Sequence, residues 1–232
     1  MIPEISSLVV IRITLALSML FIASMLDLKK REIDDRLWMI FGGIAFLIVF
    51  LSGDIWSATK TLAFSMIIVP IALLIWRFGI FGGADAFCLI VLAGLAPLSS
   101  LNGHSITPFT TLTNAVIISI IPIFVNLTRN LVALSKKQDI FKGVHISRMH
   151  KIAALFIGYR ASNPKYCFSI EKIQGNRKQL NFSLQHADDA DFCTTSDTWV
   201  TSGIPYILYI TGGFIIQILY GDMIFNLINV VK

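Results

Sequence analysis

Two aspartates stand where the surrounding sequence argues against a charge. Asp85 lies in Ile80-Phe81-Gly82-Gly83-Ala84-Asp85-Ala86-Phe87, between the apolar runs Leu62–Trp76 and Ala86–Leu98, and Asp27 closes another apolar run, Leu8–Leu26. An ionisable residue at the edge of a membrane segment needs a partner, water or a function. Two carboxylates held together suffice to hydrolyse an amide without a covalent intermediate. One, ionised, takes a proton from water as general base; the other, protonated, serves the carbonyl and the leaving amine as general acid. Closeness itself produces the mixed state, since neighbouring like charges do not both ionise cheaply. Gly82 and Gly83, followed by Ala84, allow close backbone approach and unusual dihedrals just before Asp85. Each aspartate alone has a plainer reading. The dipole at a helix start would favour Asp85, and Asp27 would pair with Arg31 one turn on.

The elements that must position them are apolar. Of 232 residues 55% are hydrophobic and 14% charged, against about 25% charged in an ordinary soluble domain. This composition describes an integral membrane protein. Six segments read as spans: Leu8–Leu26, Leu37–Leu51, Leu62–Trp76 with Pro70, Gly82–Leu98, Leu112–Leu127 around Pro122, and Gly203–Leu219. Trp38 enters the second at an interface-like position. Lys29, Lys30 and Arg31 follow the first run rather than precede it, which predicts a retained helix and not a cleaved signal peptide. Ser135–Trp199 differs in kind, with polar turns and ten of the nineteen Lys and Arg residues. It predicts a small, mostly β domain, with an amphipathic helix within His145–Tyr159 lying on the membrane surface and strands at Tyr166–Ile173 and Gln179–Gln185. The expected fold is an α-helical polytopic membrane protein: six transmembrane helices with a small, mostly β cytoplasmic domain between helices 5 and 6. The expected organisation is 1–134, 135–199 and 200–232.

Charge then sets the topology. If the loop after the first span is cytoplasmic, the cytoplasmic regions hold sixteen of the nineteen basic residues, leaving Arg12, Lys60 and Lys232 to the outer side. Both termini and the loop Pro97–Thr111 are then outside. The net charge of +5 is a topology signal, not a nucleic-acid patch. Asp27 and Asp85, with 57 residues between them, arrive at one depth on the cytoplasmic face.

Other chemistry finds little support. Cys88, Cys167 and Cys193 form no C-x-x-C and read as free thiols. His104, His145, His150 and His186 show no metal-ligand spacing, and no G-x-S-x-G or Walker A sequence occurs. Asp188, Asp189 and Asp191 read as a solvated acidic loop. No metal and no cofactor are expected. Membrane-edge aspartates also suit a proton-coupled transporter or channel, though no repeated halves are visible; a scaffold recruiting partners through its cytoplasmic domain is a third reading.

Gly82-Gly83-Ala84-Asp85 resembles the G-x-(hydrophobic or Gly)-Asp signature that presenilin-type proteases share with type IV prepilin peptidases. Asp27 and Ile33, with Arg31, Glu32 and Asp35 around them, resemble the first motif of the prepilin peptidases, and in the archaeal preflagellin and prepilin peptidase branch above all. The sequence departs from the bacterial pattern in Asp34, where Pro follows Ile, and in Phe87, where a basic residue is usual. It has no paired C-x-x-C zinc domain, which argues against the family's second activity, N-methylation of the new terminus. The resemblance implies an aspartic endopeptidase with Asp27 and Asp85 catalytic and Gly82, Gly83 and Ala84 supporting the backbone. It implies removal of short basic leader peptides from archaellin-like or pilin-like precursors at the cytoplasmic face of the bilayer. Glu32, Asp34 and Asp35 are placed to meet the basic leader.

Overall fold

The computed structural model describes residues 7–80, 82–97, 107–144, 146–174, 177–182 and 191–230. The chain divides into two compact units, Met1–Ser119 with Pro205–Lys232, and Ile120–Ile204. The expected outer-loop residues 98–106, together with His145, His186, Asp188 and Asp189, lie outside the described residues.

The first unit is helical: α1 (Ser7–Lys30), α2 (Asp35–Phe50), α3 (Ile55–Ser65), α4 (Ile68–Arg77), α5 (Gly83–Leu95), α6 (Thr107–Ile118), and, after the second unit, α9 (Tyr206–Tyr220) and α10 (Met223–Val230). Ser7–Lys30, Ile55–Arg77 and Thr107–Ser135 are long and apolar enough to cross a membrane, while Gly83–Leu95 and Tyr206–Tyr220 are shorter apolar helices. Large apolar side chains such as Phe21, Met39, Phe46, Leu47 and Phe64 are exposed, as expected of a surface bathed in lipid rather than water.

At the centre of this unit stands α5, which packs against α1, α2, α3, α4, α6 and α9. Leu89, Leu92 and Leu95 are fully buried along it, and a helix apolar on every side belongs inside. Its 13 residues make roughly 20 Å of helix, short of the about 30 Å of a bilayer core. The last carbonyls of such a helix need donors that the helix itself does not supply. Arg12 of α1 provides them, its Nη1 donating to Leu95 O at 3.0 Å and to Gly94 O at 3.3 Å. The tightest packing joins α6 to α9: a Cβ on Gly213 would lie 2.5 Å from the Thr111 carbonyl oxygen. Thr111 Oγ1 donates to Gln217 Oε1 at 2.6 Å, and the Asn114 amide donates to Gly221 O at 3.0 Å. Small residues and satisfied polar side chains are the usual means of joining helices in lipid.

Two details differ from expectation. The third apolar segment becomes helical at Ile55 rather than Leu62, because Asp54 caps it and Thr59 and Thr61 return their hydroxyls to the carbonyls one turn back. Pro70 falls in the first turn of α4, where its missing N–H is not needed. Trp38, expected at an interface, is buried, and its indole Nε1–H has no hydrogen-bond partner among the described residues.

The second unit contains α7 (Ile121–Ser135), α8 (Arg148–Ile157) and short strands: β1 (Tyr159–Ala161), β2 (Cys167–Ser169), β3 (Glu171–Gln174), β4 (Arg177–Leu180) and β5 (Thr198–Ser202). The antiparallel sheet has the order β1-β5-β2, and β3 and β4 pair separately, Glu171 opposite Leu180. Residues 183–185 of the second expected strand lie outside the described residues. Trp199 fills the core, its indole N–H donating to Ile140 O at 2.8 Å and its ring stacked on Phe141 at 5.0 Å. Gly158 is required, since a Cβ there would lie 2.4 Å from Val200 O. Asn126 and Asn130 of α7 donate to the last carbonyls of α8.

Candidate active site

Asp85 is buried in the first turn of α5, where the N-terminal end of the helix favours a carboxylate. The Gly82 N–H donates to Asp85 Oδ2 at 3.0 Å, and the Asp85 N–H returns a bond to Gly82 O at 3.1 Å. This carboxylate is therefore oriented by its own turn. Gly82 is extended (φ −73°, ψ 160°), a conformation open to any residue, and neither it nor Gly83 has positive φ. The expected unusual dihedrals of this glycine pair are absent. The glycine that needs its freedom is Gly79, at φ 73°, which ends α4. Gly83 contributes closeness: a Cβ there would touch the Trp76 indole at 3.4 Å.

Asp27 is half-buried in the last turn of α1. Its carbonyl accepts from the Arg31 N–H at 3.0 Å, and Arg31 takes the left-handed conformation (φ 59°) that ends the helix. The chain then turns at once into α2, whose N-cap is Asp34, accepting from the Arg36 N–H at 2.9 Å. A cleft of about 600 Å³ opens here, lined by Leu26, Lys30, Glu32, Ile33, Asp34 and Asp35. The three acidic residues are exposed around it. Asp34 thus has a structural task as well, while Glu32 and Asp35 make no ion pair among the described residues.

Two independent ties bring the Asp27 end of α1 and the Asp85 end of α5 to the same end of this unit. The first is the Arg12–Leu95 bond, which joins the start of α1 to the end of α5. From there the packed helices run in opposite directions, and Asp27 lies about 22 Å along one and Asp85 about 15 Å along the other. The second tie is α9. Thr211 Oγ1 donates to Ile207 O, so Ser24 donates its proton to Thr211 Oγ1 at 2.8 Å. Ser24 is one turn before Asp27. Tyr206, at the start of α9, hydrogen-bonds Ser119 and lies within electrostatic reach of Asp85, as does Cys88. Sequence reasoning missed Tyr206. Its one signal was a phenol in the first turn of the last apolar run.

Known proteins supply the family. Residues 14–123 match the type IV leader peptidase family, and residues 169–223 match the archaeal peptidase A24 C-terminus, type II. The chain belongs to the type IV leader peptidase family and is an aspartic peptidase of that family. It is similar to two proteins named preflagellin peptidase. That of Methanocaldococcus jannaschii is 23% identical over 220 residues, covering 90% of this chain and 93% of the relative. That of Methanococcus maripaludis is 27% identical over 231 residues, covering 89% and 94%. The transporter reading is not favoured. The matched segment 14–123 contains Asp27, Asp85 and the acidic residues between them.

Proposed function

We propose that Asp27 and Asp85 are the catalytic pair with which this peptidase removes the leader peptide from preflagellin-type precursors. The observation that carries the reading is the convergence of the two helix ends. An aspartate in the last turn of α1 and a buried aspartate in the first turn of α5 lie at the same end of one packed set of helices. In the reaction one carboxylate is ionised and withdraws a proton from the attacking water. The other is protonated and donates its proton to the scissile carbonyl oxygen. The proton taken from water then passes to the leaving amine as the C–N bond breaks, and a hydroxyl of the tetrahedral intermediate returns a proton to the second carboxylate. Gly82 keeps Asp85 in one orientation through the cycle.

The precursor is archaellin-like or pilin-like, with a short basic leader before an apolar helix. The leader lies in the acidic cleft of Glu32, Asp34 and Asp35, and the apolar helix stays in the bilayer. This reading places six spans in the membrane, both termini outside, and the catalytic loops and residues 135–199 in the cytoplasm. The positive-inside distribution of Lys and Arg supports it. Co-expression with a candidate precursor tests the activity. The account expects a mobility shift equal to the leader, absent with Asp85→Asn; an unshifted precursor beside the intact enzyme excludes that precursor class.

A further inference from the structure

The second unit carries two depressions that meet at one residue. The first, a cleft of about 580 Å³, is lined by Arg129, Lys136, Lys142 and Arg160 together with Asp139 and Asp197. Arg160 is consumed within the protein. Its Nε and Nη2 donate to the Asp197 carboxylate at 2.7 Å each, and its Nη1 donates to the carbonyls of Ile140 and Lys142 at 3.3 and 3.0 Å. With that pair cancelled, Arg129, Lys136 and Lys142 face the cleft against Asp139 alone. The Arg129 guanidinium is held 3.7 Å above the Tyr159 ring, a stacking that fixes its plane while leaving its edge donors available. Lys136 and Lys142 are exposed and make no ion pair among the described residues.

The second depression, about 510 Å³, is a groove along α7 lined by Ile121, Phe124, Val125, Thr128 and, again, Arg129. Phe124 and Val125 are 61% and 58% exposed, and the groove lies within the apolar stretch Thr107–Ser135. An apolar groove that ends in a cationic cleft fits one kind of molecule, an amphiphile with an acidic head. The scale agrees. Arg129 to Lys136 covers about 10 Å of helix, comparable to the thickness of a headgroup layer. Packed beside α7, α8 exposes Met149, Ile152 and Phe156 at helical spacing, a second apolar surface suited to the bilayer edge.

We propose that this is a binding site for an anionic phospholipid, its phosphate against Arg129, Lys136 and Lys142 and one hydrocarbon chain along Ile121, Phe124, Val125 and Thr128. The site stands independently of the aspartate pair. Anionic headgroups are attracted to basic residues at a membrane edge by an amount that makes three of them decisive.

Native mass spectrometry of the full chain in neutral detergent, titrated with phosphatidylglycerol or with phosphatidylcholine of the same chains, tests the site. Phosphatidylglycerol should bind at one site in preference to phosphatidylcholine. The variant Arg129→Gln/Lys136→Gln/Lys142→Gln should bind it on the order of a hundredfold more weakly. Val125→Trp, which fills the groove, should also weaken it. If loss of the Arg129 stack unfolds the unit, Lys136→Gln/Lys142→Gln reads the same effect at two exposed positions. Equal affinity for the two lipids, or undiminished binding by these variants, would overturn the proposal. Displacement of the lipid by millimolar inorganic phosphate would overturn it too, and would assign the cleft to a free anion.

Discussion

Arg12 Nη1 donates to the Leu95 carbonyl at 3.0 Å, so a cation of the first helix closes the far end of the helix that begins beside Asp85. The bond satisfies acceptors buried in an apolar interior, and it registers α1 against α5. Arg12→Leu should orphan the carbonyls of Gly94 and Leu95, at a cost of about 1–3 kcal/mol for each buried acceptor. Thermal unfolding of the detergent-solubilised protein should show a clear fall in Tm, with leader cleavage reduced because Asp85 rides on the loosened helix. An Arg12→Leu protein as stable as the parent would show that the registry is held elsewhere.

The acidic cleft beside Asp27 should read the charge of the leader. Asp34→Asn keeps the α2 cap, since Asn is as good at that position, so Glu32→Gln/Asp34→Asn/Asp35→Asn removes charge without removing the helix start. Exposed pairs contribute about 0.2–1 kcal/mol each and weaken with salt. The triple variant should therefore raise KM several-fold and leave kcat nearly intact, as loss of uniform binding does. The difference should shrink in high salt and disappear for a precursor whose leader lysines are changed to Gln. A triple variant that still distinguishes charged from neutral leaders as the parent does would place leader recognition at other residues.

The Arg160–Asp197 pair predicts an acid sensitivity of the sheet. The Arg160 guanidinium, hydrogen-bonded to Asp197, holds that carboxyl below the usual carboxylate range. A depressed folded-state pKa contributes stability that is complete above the unfolded value, about pH 4, and is lost as the pH falls from there through the lowered value. Hydrogen exchange across Tyr159–Ala161 and Thr198–Ser202, the strands the pair bridges, should accelerate in that window and not between pH 5 and 8. In Asp197→Asn the acid dependence should flatten. The same profile in both proteins would mean that other carboxylates govern it.

What the sequence made legible was governed by local chemistry. The apolar runs, the two aspartates at their edges and the amphipathic stretch that becomes α8 are all written in neighbouring residues. What escaped depends on partners distant in the chain. The bond of Arg12 to the end of α5 was hidden because its acceptors lie 82 and 83 residues away. Trp38 looked interfacial because nothing local says that α2 packs on α5. The glycine pair looked conformational, whereas Gly82 is extended and Gly83 accommodates the Trp76 ring. Helix α10 is hard to tell from a tail, since eight residues give too short a periodic signal.

The central claim is that Asp27 and Asp85 act as one unit, and a double-mutant comparison of cleavage rates tests it most directly. Asp27→Asn and Asp85→Asn should each lower kcat/KM by roughly 10²–10⁴-fold, the usual share of a general acid or base. Both proteins should unfold at the parental temperature, since the amide oxygen introduced by Asp85→Asn can still accept the Gly82 N–H. The double variant should be no slower than the worse single one, because groups that act together are lost together. If either single variant keeps about a tenth or more of the parental rate, or if the two losses multiply, the aspartates do not work as a pair and the account fails.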